Sequence, residues 1–343
     1  MPVALKRYLK PIKDILQDPE VNEITINRPH EYIIEKPTGK EYVKTEFFSE
    51  SDLIELAGLI ASHTHQKINS SNPILSGSLP DGERVQIIMS PAVHTGMFAM
   101  SIRKPTILDL TIDDYTTSGA FDNVKIEDNE SMSNMDEELL SLKESGQISQ
   151  FLKLAVKAKK NIIVSGGTSS GKTTFTNALI KEIPLDERLI SIEDVQEVIL
   201  KQHDKLHLIC SKGDQGLASI SPKELLEACL RLNPDRILLS ELRGEEAFYF
   251  LRAINSGHPG SITTLHADTV KGAFDQIVMM INQGGMNLSE DNIRKYLNKV
   301  VDIVVQFKKI KGKRVMTELY FEPTGIRKKL TKAISNSYLT KAV

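Results

Sequence analysis

The chain has 343 residues, 40% of them apolar and 26% charged, with a formal net charge of −2. That length sets an expectation of about two domains, the composition is that of an ordinary globular protein, and the near-neutral balance excludes a global basic field for nucleic acid. The two cysteines, Cys210 and Cys229, make neither a CxxC metal knuckle nor a disulfide framework, which points to a reducing compartment. The opening MPVALKRYLKPIKDI is charged throughout, unlike a signal peptide, and no apolar run approaches the ~20 residues of a membrane helix. A cytoplasmic protein is expected, any membrane contact being peripheral.

Up to about Lys104 the pattern mixes helix and strand. LKRYLKPIKDIL reads as an amphipathic helix interrupted by Pro11. VNEITINR and EYIIEKP are period-two segments, SESDLIELAGLIASHTH is a second helix, and ERVQIIMS and MFAMSIRK are again strands. This is an α+β pattern, and residues 1–104 are assigned to a smaller N-terminal domain. The stretch FDNVKIEDNESMSNMDEELLSLKESG is acidic, rich in Asn and Ser and poor in large apolar residues before Leu139. Residues 105–149 are therefore read as a flexible linker with a short helix near its end.

From about Gln150 the order becomes strand, loop, helix, repeated. NIIVS, RLISIE, KLHLIC, RILLSE and SITTLH are β-rich runs between helical segments such as SPKELLEACLRL and GEEAFYFLRAINSG. Pro222 after Ser221, with Glu224 at the third position, is a capping-box signature, and Gly257 stands where a glycine is expected to end the next helix. The alternation predicts an α/β sheet covered on both faces over 150–343. The C-terminal cations Arg327, Lys328, Lys329, Lys332 and Lys341 are read as solvated surface.

Within that half, GGTSSGKT, Gly166 to Thr173, satisfies G-x-x-x-x-G-K-[ST] with a β-run before it and a helical pattern after it. Backbone N–H groups of Gly166, Gly167, Thr168, Ser169, Ser170 and Gly171 are expected to surround phosphate oxygens, glycine permitting the required turn and close approach. The following helix, through Thr174, aims its positive end at the same phosphates. Lys172 is placed between β- and γ-phosphates, and the Thr173 hydroxyl on Mg²⁺. The cofactors expected are ATP and Mg²⁺.

Three further stretches bear on what is done with the nucleotide. RLISIEDVQEVIL ends a β-run in Glu193 and Asp194, with Glu197 one helical turn later; a carboxylate there is a candidate to polarise a water. PDRILLSELRGEEA sets Glu241 after an apolar run as a Walker-B acid for Mg²⁺, with Arg243 nearby to pair with an acid or sense phosphate. SGHPGSITTLHAD places His266 at the end of another β-run, where an imidazole can respond to γ-phosphate loss. Each alone also admits a bland reading, as a helix-capping acid or a hydrogen-bonded structural histidine.

Together GGTSSGKTT, SIEDVQE, ILLSELRGEEA and SGHPGSITTLHA resemble the Walker A, Asp box, Walker B and His box of secretion traffic ATPases. NPILSGSLPDGERVQIIMSP and SIRKP extend the resemblance to the type IV secretion branch, typified by the Vir system's hexameric ATPase, from about Val21 to Phe307. The resemblance implies a RecA-like P-loop domain and a hexameric motor with ATP and Mg²⁺ between two domains, at the cytoplasmic face of the inner membrane. It implies partners among inner-membrane secretion-complex proteins, other ATPases included. It further implies that Glu193 orients the attacking water, that Glu241 positions Mg²⁺, and that His266 couples nucleotide state to the sheet. Arg84 and Arg103, otherwise readable as surface residues on exposed strand faces, match arginines that reach the nucleotide phosphates. Two cysteines cannot build the four-cysteine zinc element of the type II branch, and the additional N-terminal domain of many type II motors is not expected, which favours the type IV secretion branch. Alternatives are a motor acting directly on DNA, against which near-neutral charge and 6% aromatics without tryptophan argue, a nucleotide-gated scaffold with little turnover, and a small-molecule kinase.

Overall fold

A computed structural model describes residues 3–104, 111–122, 124, 132–211, 218–286 and 288–323. The C-terminal cations Arg327, Lys328, Lys329, Lys332 and Lys341, and part of the expected linker (105–110, 123, 125–131), lie outside the described residues. The chain divides into two compact units, one of Met1–Pro105 with Leu152–Tyr320, the other of Thr106–Phe151 with Phe321–Val343. The N-terminal and C-terminal sheets that the sequence assigns to separate domains thus share one unit.

The N-terminal lobe opens with α1 (Val3–Leu9), a 3-10 turn (Lys10–Ile12) and α2 (Lys13–Gln17). Pro11, lacking an N–H, falls in that turn, where the α-helical ladder breaks. Leu5, Leu9 and Ile12 recur at helical spacing and are buried. Strands β1 (Glu23–Ile26), β2 (Glu31–Lys36) and β3 (Gly39–Lys44) are followed by α3 (Glu50–His63), then β4 (Ile74–Ser78), β5 (Arg84–Ile88) and β6 (Ala99–Arg103). Ser49 and Asp52 close a capping box that starts α3, which buries Leu53, Leu56, Ala57 and Ile60. The strands form an antiparallel sheet in the order β3-β2-β1-β6-β5-β4. Its register sets Arg84 opposite Arg103.

Over the expected linker the described residues include α4 (Ile112–Thr117), begun by a Thr111–Asp114 capping box, and α5 (Asn134–Glu144), capped by Ser133. In that unit Lys143 Nζ donates to the Phe321 carbonyl at 2.9 Å, and the rings of Phe151 and Phe321 meet edge to face at 5.3 Å. Helix α6 (Ile148–Lys157) leads into the C-terminal half.

There the order is β7 (Ile162–Gly166), α7 (Lys172–Ile180), β8 (Leu189–Glu193), β9 (Lys205–Ile209), α8 (Pro222–Cys229), β10 (Arg236–Leu239), α9 (Glu246–Ile254), β11 (Ile262–Leu265), α10 (Val270–Gln283), α11 (Glu290–Val300), β12 (Ile303–Ile310) and β13 (Lys313–Phe321). The described strands run β13-β12-β7-β11-β10-β8-β9, parallel from β12 through β9. All residues of β7, β8, β10 and β11 are buried, as expected of strands with helices on both faces. The Ser221–Glu224 capping box is formed. Gly257, at φ +104°, lies two residues beyond the C-cap Asn255 of α9.

The N-terminal lobe docks on the β9 edge. Leu208 bridges to Val93, the Ile209 N–H donates to Ala92, and the His94 N–H donates to His207. Ile88, Ala92, Val93 and Ala99 join the apolar core of the parallel sheet. Beside them lies a buried polar cluster: Asn27 Nδ2 and Lys40 Nζ donate to Asp204 at 3.0 and 2.9 Å, and Arg188 pairs with Asp204 and donates to Asn27 Oδ1 at 3.1 Å. Burial works to raise the Asp204 pKa, but Arg188 and Lys40 outweigh it and hold the carboxyl below the usual range.

Candidate active site

In a parallel sheet the loops after the strands' carboxyl ends converge on one edge. The glycine loop follows β7 there and passes into α7, whose N-cap, Gly171, has φ +98°. Ser169 is also left-handed, at φ 59°. A Cβ on Gly166 would lie 2.5 Å from Ser170 Oγ and 2.6 Å from the Phe307 carbonyl, so glycine is required by close approach. Lys172 Nζ donates to the carbonyls of Gly166 and Gly167 at 2.9 and 3.3 Å. Burial lowers its pKa, against an opposing pull from Glu241.

Side chains from three other strand ends extend from that ammonium. His266, just past β11, has Nδ1 3.3 Å from Lys172 Nζ and Nε2 2.7 Å from Glu241 Oε1. An ammonium can only donate, so Nδ1 accepts and Nε2–H donates to the carboxylate. Glu241, past β10, accepts from Arg243 Nε at 2.5 Å, and Arg243 NH1 reaches Asp194, past β8, at 2.7 Å. Lysine, histidine, glutamate, arginine and aspartate thus form one polar chain across Walker A, His box, Walker B and Asp box.

Glu193 stands elsewhere. The last residue of β8, it is fully buried. Its Oε1 accepts from Ser191 Oγ at 2.6 Å and lies 3.1 Å from His207 Nδ1; its Oε2 accepts the N–H groups of Glu197 and Val198 at 2.7 and 2.8 Å. Burial works to raise its pKa, and these donors outweigh that and hold it low. The carboxylate is thus held by groups of its own chain, whereas the sequence expects it to orient the attacking water. The residue that meets the glycine loop is Glu197, whose Oε2 accepts from Thr173 Oγ1 at 3.2 Å. It sits on an irregular segment rather than one helical turn along a helix, because Glu193 gathers the amides of 197 and 198 itself. The spacing E-D-x-x-E displays both acids; only the packing tells them apart.

A model of the type II/IV secretion system protein family matches residues 6–310. The chain belongs to that family. It is 42% identical over 327 residues to the type IV secretion system protein VirB11 of Bartonella henselae, covering 92% of each chain. It is 40% identical over 303 residues to VirB11 of Brucella suis, covering 87% of this chain and 84% of that one. Among solved structures it resembles the VirB11 ATPase of the Brucella suis type IV secretion system, in complex with sulphate, at 38% identity and TM-score 0.88 over 95% of this chain and 99% of that one. The RecA-like P-loop fold expected from sequence agrees with this family.

Arg84 and Arg103 are not at the glycine loop of their own chain. They share a pocket of about 150 Å³ with Gln86, Leu230, Arg231 and Asn233. Leu230 to Asn233 precede β10, so this pocket is at the amino edge of the parallel sheet, opposite the loop's edge. Among the described residues these two arginines therefore do not join the glycine loop of the same chain.

The residues at the loop suit both expected groups. Ser170 Oγ is buried with no hydrogen-bond partner among the described residues, a polar atom that a phosphate oxygen would satisfy. No cluster of three metal-binding side chains occurs among the described residues. Mg²⁺ needs only one or two protein oxygens when phosphates and waters complete its shell, and the Thr173 hydroxyl and the Glu241 carboxylate supply hard oxygens of that kind. No helix of the described residues is long and apolar enough to cross a membrane.

Proposed function

We propose that the chain is a Mg²⁺-dependent ATPase that works as a hexameric ring and energises a type IV secretion or conjugation apparatus. The observation that carries this reading is the polar chain from three other strand ends that runs from Lys172, at the start of α7, through His266, Glu241 and Arg243 to Asp194. Lys172 is held by its own loop's carbonyls and would transfer to the β- and γ-phosphates of ATP, as would the amides of residues 166 to 174. Thr173 and Glu241, the latter through water, would hold Mg²⁺, which when bound neutralises charge on the phosphate oxygens. Glu197 takes the role of orienting the attacking water, and Glu193 that of fixing the backbone of the segment that carries it. His266 links Lys172 to Glu241, so loss of the γ-phosphate is felt at β10 and β11.

Arg84 and Arg103, turned away from their own loop, would serve the nucleotide of a neighbouring subunit. That requires the ring and makes turnover depend on assembly. Work comes from differential affinity: ATP and ADP drive a partner only to the extent that they favour different subunit arrangements. The partners would be inner-membrane proteins of the secretion complex and its other ATPases, met at the cytoplasmic face of the inner membrane.

Phosphate release measured against protein concentration, with mass in solution measured beside it, tests the reading. Turnover per chain should rise steeply as rings form and should need Mg²⁺. A monomer turning over at full rate, or hydrolysis only in stoichiometric, salt-sensitive proportion to added DNA, would overturn it.

A further inference from the structure

Strand β12 is in register with β7 so that Phe307 lies beside Gly166. The chain beyond Phe307 therefore continues past the end of β7 alongside the glycine loop. That continuation reads Lys308, Lys309, Ile310, Lys311, Gly312, Lys313, Arg314. Lys311 and Gly312 both have positive φ, 48° and 80°, the two-residue turn that matches strand twist in a hairpin. Among the described residues no carboxylate forms an ion pair with any of these cations.

Arg314 is in direct contact with the loop. A Cβ placed on Gly171 would lie 2.7, 3.4 and 3.5 Å from Cδ, Cγ and Cβ of Arg314, its three nearest neighbours. The arginine stem therefore runs along the glycine that caps α7, and the guanidinium starts one bond beyond Cδ. A helix N-terminus carries partial positive charge and disfavours a cation. Here an arginine with no acidic partner among the described residues and Lys172 are both held at that end. Such an arrangement is repulsive unless an anion lies between them.

We propose that Arg314, presented by the β12–β13 hairpin, is a nucleotide-binding residue that grips the α- and β-phosphates from within the same chain. This rests on reading the glycine loop as an ATP site. The α- and β-phosphates are the relevant ones because the amides before Lys172 cradle them, whereas the lysine reaches toward the γ-phosphate. Arginine fits the task, since its planar fork makes two bonds to phosphate at once and stays charged at any working pH. Because Arg314 touches the part common to ATP and ADP, it contributes to holding both, unlike a group that reads the γ-phosphate.

The test uses the full chain and fluorescent analogues of ADP and of a slowly hydrolysed ATP. Arg314→Ala should raise the dissociation constant of both by about 10- to 100-fold, the size of a lost charge-assisted contact. KM for ATP should rise in step while kcat changes by less than about threefold. Arg314→Lys, with charge but no fork, should recover part of the affinity, and Lys313→Ala should change little. Because Arg314 is exposed and unpaired with any acid among the described residues, the melting temperature without nucleotide should not fall below that of wild type, and only the nucleotide-induced rise should shrink. Equal affinity of wild type and Arg314→Ala for both nucleotides would overturn the proposal, as would a loss confined to the triphosphate. So would a variant whose only defect is weaker, salt-sensitive binding to anionic vesicles. Failure of the wild type itself to bind either nucleotide would instead remove the ATP site, so the two failures are distinguishable.

Discussion

The two edges of the parallel sheet use the same side-chain types to opposite ends. At the amino edge and β9, Arg188, Asp204, Asn27 and Lys40 bond to one another in a cluster in which Arg188 and Asp204 are 2% and 1% exposed. At the carboxyl edge, Lys172, His266, Glu241 and Arg243 also form a chain, yet Arg243 and His266 remain 55% and 50% exposed at their side chains. Charge that is buried and paired holds one arrangement, because breaking it strands a desolvated ion. Charge that is half-solvated can exchange partners at little cost, as a site that loads and releases polyphosphate must. The N-terminal lobe is fastened at the first edge, so movement driven from the second is expected between chains.

The contrast can be broken most directly at Lys172. Lys172→Ala should lower phosphate release by at least about 10³-fold, a loss on the scale of removing a charge clamp from a transferring phosphoryl group, with little change in the melting curve. Asp204→Ala should do the reverse, costing about 3–5 kcal/mol in denaturant unfolding by leaving Arg188 uncompensated; an unchanged midpoint would show that the lobe is not held there. The two acids of the Asp box sharpen the comparison further. Glu197→Gln should cut kcat by about 10²-fold with nucleotide affinity retained. Glu193→Gln would set an amide donor against N–H or O–H donors and should appear first as about 1–3 kcal/mol of lost stability. If Glu193→Gln were the variant with intact stability and no turnover, the roles would be exchanged.

Acid should also separate the edges. The folded pKa of Asp204 is depressed below that of the unfolded chain, so in the window between the two the unfolded state binds more protons. Its contribution is therefore full above the usual aspartate range near ~4, shrinks as pH falls through that range, and is gone below the folded value. Unfolding midpoints followed from about pH 6 downward should fall less steeply in Asp204→Asn than in wild type. Smallest of all, Ser221→Ala removes one side of the formed capping box of α8 and should cost about 1 kcal/mol without touching turnover.

Much of this is legible in the chain. The glycine loop shows itself because phosphate chemistry fixes residue types at fixed spacing, and β7, β8, β10 and β11 show themselves because strands covered on both faces must be apolar throughout. β12 and β13 do not, since KKIKGKR reads as a charged surface stretch unless its pairing with β7 is known. Glu193 and Glu197 are not separable there either, because burial of one and exposure of the other depends on His207 arriving from the neighbouring strand β9.

By itself the sequence determined the local chemistry: a phosphate loop between strand and helix, acids and a histidine at strand ends, caps at helix starts. These arise from backbone geometry and hydrophobic period over short spans of chain. Only the tertiary structure decided which acid faces the loop, where Arg84 and Arg103 point, and that Arg314 lies on Gly171 from a distant part of the sequence. Those outcomes depend on strand order and on which polar groups find partners after water is excluded, and neither is written in any one stretch of chain.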